Sequence, residues 1–163
     1  MRILTYPSPA LKQRVADIEG ESRSELRSLV DELAKTMYDS HGVGLAATQI
    51  GIMKRLLIYD IDEELVVLCN PRITDLSDET VVEEEGCLSL PGIAVPIERS
   101  TAVTCEGVDL DGRPVTISAE GLLARVLQHE LDHLDGVLII DRATSEQRRE
   151  AIRRYNEIMR TLG

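Results

Sequence analysis

The chain has no tryptophan, no phenylalanine and only four tyrosines in 163 residues. Stacking on single-stranded nucleic acid needs exposed aromatic platforms. Such binding is therefore not its main task, and its core must be aliphatic. Cysteine is also scarce, with Cys69, Cys87 and Cys105 the full set. Three is too few, and odd in number, for a secreted disulfide framework, and points to a reducing compartment. No apolar run approaches the roughly 20 residues of a membrane-spanning helix. The N-terminal MRILTYPSPALKQR lacks the long apolar core and small-residue cleavage site of a secretory signal. A cytoplasmic protein is expected, and the lack of a transit segment points to a bacterial one. Positive charge is short as well: 18 Lys and Arg stand against 29 Asp and Glu, a net −11. A chain this acidic is a poor general binder of DNA or of anionic membranes.

What is present fits one domain, 1–163. The length and 43% hydrophobic content supply one core rather than two. Leu26, Leu29, Val30, Leu33, Ala34 and Met37 recur at helical spacing, and Ser22 with Glu25 makes a capping box. This predicts a helix over 22–37. HGVGLAATQIG, 41–51, is too glycine-rich for a good helix and is expected as a loop or strand in close contact with a neighbour. RLLIYD and LVVLCN are short strand signals, the second expected to end at Asn70-Pro71. A further strand is expected over 72–84. TAVTCEGVDL and RPVTISA flank Asp111-Gly112, a hairpin signal. A helix is expected over 121–135 with Gly136 beyond its end, then a short strand at VLIID. A last helix is expected from about Ser145 to Leu162, with Thr144 and Gln147 as its capping box. The fold class expected is α+β: mixed or antiparallel sheets around a central helix, with one helix near each terminus.

The central helix carries QHELDHLDG, 128–136. His129 and His133 are four apart, with Glu130 after the first. This is the H-E-x-x-H pattern, in which two imidazoles on one helical face bind a metal and the glutamate serves as base. The plain alternative is two satisfied core histidines. Two at this spacing, beside a glutamate, in a chain with three histidines in all, favour a metal. A catalytic site needs a third ligand and an open position. Downstream, Ile139 stands where one protease class places a third histidine, and it cannot ligate. Glu150 and Glu157 sit among arginines, where surface ion pairs are expected. Upstream, Cys69 and Cys105 lie in apolar strands as small buried hydrophobes. Cys87, in EEEGCLSL, is open to either reading: ligand or core thiol.

Three segments, GVGLAATQIG, EGCLSLP and QHELDHLDG, closely resemble the signature motifs of the peptide deformylases, in that family's order and spacing. The resemblance covers nearly the whole chain. It implies Cys87 as third ligand beside His129 and His133. It implies one divalent ion, natively Fe(II), with zinc, nickel or cobalt also suiting the donors. The implied reaction is hydrolysis of the formyl group from the N-terminal formyl-methionine of new polypeptides. Metal-activated water is the nucleophile and Glu130 the general acid and base. Gln49 and the backbone N–H of Leu88 are implied as donors to the oxyanion. Gly42 and Gly44 would let substrate pair as an added strand. Val43, Leu122 and Val126 would wall the methionine pocket, with Gly44 and Glu85 also at the substrate.

Two positions depart from the family pattern. Arg125 stands where an aliphatic residue is common, and its charge is expected to reach water past an apolar stem. Glu85 would pair with an arginine after Val95-Pro96, but Ile97 follows, and the nearest arginine is Arg99. A metalloprotease-like amidase and a non-catalytic, ribosome-associated metal module are the competing classes. The missing downstream ligand and the intact EGCLS and GVGLAATQ segments count against the first, and intact Gln49, Cys87 and Glu130 against the second. From residue 145 onward five arginines face three glutamates. An amphipathic surface helix is expected there, with ribosomal docking as the sharper alternative.

Overall fold

The computed structural model describes residues 2 to 162. After a 3-10 helix at Pro9–Lys12, α1 spans Arg23–Asp39 and starts as expected: Ser22 Oγ accepts from the Glu25 N–H, and the Glu25 side chain accepts from the Ser22 N–H. The strands are β1 (Gly44–Ala46), β2 (Leu56–Asp60), β3 (Leu65–Leu76), β4 (Thr80–Gly86), β5 (Ala94–Ser100), β6 (Ala102–Val108) and β7 (Pro114–Glu120). Helices α2 (Gly121–Leu134), α3 (Ile139–Arg142) and α4 (Ser145–Leu162) follow. One antiparallel sheet has the order β1-β2-β3-β6-β7; β4 and β5 form a separate antiparallel pair.

The five-stranded sheet lies between two helices, which explains why β2 is apolar and buried from Leu56 to Tyr59. Leu57 and Tyr59 pack with Ala124, Leu127, Leu131 and Leu134 of α2. Leu56 and Ile58 pack on the other face with Leu26, Val30, Leu33 and Met37 of α1. Alternate residues of one strand thus feed two cores. Each fully buried leucine contributes roughly 1.5–3 kcal/mol. A third cluster joins Leu11, Val95 and Ile97 to Ile139, Ile140 and Tyr155. It anchors α4, while Arg149, Arg154 and Arg160 stay exposed. Glu150 and Glu157 both pair with Arg153, the surface role expected of them.

Three local expectations need correction. β3 does not end at Asn70-Pro71 but continues to Leu76. Asn70 takes φ 52 and the register with β6 shifts between Cys69 and Arg72, so the Asn-Pro pair makes a bulge. The stretch 72–84 is consequently split between the end of β3 and the start of β4. VLIID is not a strand: Ile139–Arg142 forms a helical turn whose Ile139 and Ile140 enter the third cluster. A short apolar run has no period long enough to distinguish the two.

Gly136 shows why α2 stops where it does. Its φ is +76, and a Cβ there would lie 2.6 Å from the Lys12 carbonyl oxygen. Only glycine lets the N-terminal segment cross the end of this helix so closely. Arg55 fastens the same junction, donating from Nη1 to Asp135 at 2.8 Å and from Nε to the Pro71 carbonyl at 3.2 Å.

Candidate metal centre

Helix α2 presents His129 and His133 one turn apart, and β4 ends one residue before Cys87. The ligating atoms of Cys87, His129 and His133 all lie within 4.8 Å of one another. Cys87 Sγ is 3.4 Å from His133 Nε2. A soft thiolate with two imidazoles is a donor set that zinc, iron, nickel or cobalt accepts. Glu130 Oε1 is buried there without a hydrogen-bond partner. Among the described residues this is the cluster suited to a metal, and these features fit a bound cation.

The support around His129 is ionic. Its Nδ1 lies 2.9 Å from Glu85 Oε1. Arg99 meets Glu85 with two parallel bonds, Nε to Oε2 at 2.9 Å and Nη2 to Oε1 at 3.0 Å, and reaches Asp132 from Nη1 at 2.6 Å. The expected Glu85 partner is thus Arg99, placed by the alternation of β5. Arg142 of α3 closes the chain on Asp132 at 2.8 Å. Burial opposes charge on Glu85, but hydrogen bonds with His129 and Arg99 outweigh it and lower its pKa to about 2. Burial also opposes charge on His129, yet hydrogen bonds with Cys87 and Glu85 raise its pKa well above the usual value. Burial, then the positive charges of His129 and Arg99, hold His133 well below it and so neutral.

Arg125 departs from expectation. It is 7% exposed, so its charge does not reach water. It meets Glu85, the Ile97 carbonyl at 3.1 Å and the Val81 carbonyl at 2.9 Å. A buried guanidinium needs such partners, because leaving it unpaired would cost several kcal/mol.

Glu130 is 4% exposed, and burial raises its carboxyl pKa to about 7. Gly44 explains its close confinement: a Cβ there would lie 2.8 Å from Glu130 Oε2 and 3.1 Å from Val126. Gln49 is held from both ends. Its Oε1 accepts from the Ala46 N–H at 3.0 Å, and its Nε2 donates to Ser89 Oγ at 3.1 Å. Ser89 and Asp132 were not singled out from the sequence. Ser89 lies inside EGCLSLP and Asp132 inside HELDH, but their partners stand 40 and 33 residues away.

A cavity of about 720 Å³ adjoins the cluster, lined by Val43, Gly44, Leu88, Leu122, Val126 and Arg125 among others. Of the residues expected at substrate, Val43 and Leu122 are half exposed beside it, at 47% and 57%. Val126 is buried. Glu85 touches the cavity, but its oxygens are engaged by His129, Arg99 and Arg125. β1 is an edge strand.

A family model described as polypeptide deformylase matches residues 1–149. A peptide deformylase of Thermodesulfovibrio yellowstonii is 44% identical over 159 residues, covering 94% of this chain and 94% of that one. One from Rhizobium meliloti is 43% identical, covering 99% and 95%. Among solved structures, a peptide deformylase from Legionella pneumophila superposes with TM-score 0.92 at 38% identity, covering 99% of this chain and 96% of that chain. The chain spans nearly the full length of these relatives, and it belongs to the polypeptide deformylase family.

Proposed function

We propose that this enzyme removes the formyl group from the N-terminal formyl-methionine of polypeptides, releasing formate and a free amine. The observation that carries the proposal is the cluster of Cys87, His129 and His133 beside a buried Glu130 and an apolar cavity. Cys87, His129 and His133 would hold one divalent ion, natively Fe(II). Such an ion supplies Lewis acidity and lowers the pKa of a coordinated water to about 7.

The chain's own residues do the rest. Glu130, with a pKa of about 7, can both accept and return a proton near neutrality. Its unpartnered Oε1 is the atom that takes the proton from water and delivers it to the leaving nitrogen. Ala46 and Ser89 orient the Gln49 amide, and with the Leu88 N–H it donates to the developing oxyanion. The free edge of β1 at Gly44 pairs with the substrate backbone as an added strand. Val43, Leu122 and Val126 take the methionine side chain. Glu85 acts on His129 rather than on substrate.

Product analysis on matched formyl-, acetyl- and free methionyl peptides tests the reading. Formate from the formyl peptide alone is the expected result. Cleavage within the peptide chain would indicate a protease and overturn it.

A further inference from the structure

Arg125 stands one turn before His129 on α2. Its head meets Glu85 and Val81 of β4, lies 3.3 Å from Glu83 of β4, and meets Ile97 of β5. All its polar partners therefore belong to the separate two-stranded sheet. An isolated pair of strands is marginal by itself and needs packing to hold it in place. Other ties join this pair to α2: Glu85 to His129 at 2.9 Å, Arg99 to Asp132, and Gln128 to the backbone of Ser100 at 3.0 and 3.1 Å. Arg99 and Ser100 stand on β5, whereas Arg125, together with His129, reaches β4, at Val81, Glu83 and Glu85 along its length.

That position matters because the metal donors come from two bodies. His129 and His133 ride on α2, and Cys87 follows directly from β4. The distance between the thiolate and the imidazoles is set by how β4 docks on α2. We propose that Arg125 is a positioning residue that docks the Cys87-bearing strand pair onto the histidine-bearing helix and so sets how long the metal is retained. The proposal rests on the metal reading above. Arg125 makes no contact with a donor atom; its influence passes through β4 and through Glu85, which touches His129. Planar, forked geometry is essential to this role, because one head must satisfy carboxylates and carbonyls in different directions.

The test follows cobalt loss. Wild type, Arg125→Met, Arg125→Lys and the surface control Arg153→Met are loaded with Co(II) and challenged with excess chelator. Decay of the thiolate–cobalt absorption reports release. Arg125→Met should release cobalt about tenfold faster or more, the usual effect of losing support behind a metal ligand. Arg125→Lys should fall between it and wild type, and Arg153→Met should match wild type. With cobalt in excess, KM for a formyl-methionyl peptide should stay near the wild-type value, because methionine keeps an apolar stem at the cavity. Release at the wild-type rate, or a raised KM with unchanged release, would overturn the proposal and leave only a pocket wall. If Arg125→Met fails to fold, Arg125→Lys decides: faster release supports the role, and an unchanged rate overturns it. A wild-type protein that takes up no cobalt would overturn the metal reading and this proposal together.

Discussion

Glu130 gathers the strongest constraints placed on any one side chain. It is buried, its Oε1 has no hydrogen-bond partner, and the Gly44 backbone closes on its other oxygen. Glu130→Gln keeps the shape and removes the base. Turnover should fall by about 10²–10⁴, with metal content by elemental analysis unchanged. Full activity in that variant would rule out the role given to Glu130. Ser89 is a subtler case, since it acts only through Gln49. Ser89→Ala should lower kcat by about tenfold, less than the 10²–10³ lost with an oxyanion donor itself, and leave KM nearly constant. A raised KM with intact kcat would instead place Ser89 in substrate binding. The contrast shows what a sequence exposes. His129, Glu130 and His133 are legible because helical period brings them together locally. The Ser89–Gln49 and Arg99–Asp132 pairs join distant segments, and no local pattern announces them.

At the level of elements, the regular periodicities were legible and the interruptions were not. α1 was legible because its apolar stripe and capping box agree, and the β6–β7 hairpin because Asp-Gly marks its turn. Asn70-Pro71 misleads because the same residues that end a strand can bulge one when the partner strand continues past them. Ile139 and Ile140 fold as a helical turn because the third cluster needs both side chains on one side. Gly136 offers a direct test of the junction between α2 and the N-terminal segment. Gly136→Ala adds a Cβ at positive φ against the Lys12 carbonyl. The loss should be about 2–3 kcal/mol. That lowers the Tm of the metal-stripped protein by about 5–10 °C. An unchanged Tm would mean that the N-terminal segment yields freely.

Across the whole molecule, two helices enclose one sheet, and a second strand pair brings Cys87 to the histidines of α2. The active site is thus assembled from segments that meet only on folding. The cavity beside it combines an apolar lining that includes Val43, Leu122 and Val126 with polar groups that include Glu130 and Gln49. This combination suits a short apolar side chain joined to a reacting amide. No described helix is long and apolar enough to cross a membrane. Formate release from a formyl-methionyl peptide tests the central claim most directly. It should be measured with anaerobically purified protein as isolated, after chelator stripping, and after reloading with Fe(II) or Co(II). The isolated and reloaded protein should release one formate per free amine formed, and the stripped protein should release almost none. Equal release before and after stripping, or none from the fully loaded protein, would contradict a metal-dependent deformylase built on Cys87, His129 and His133.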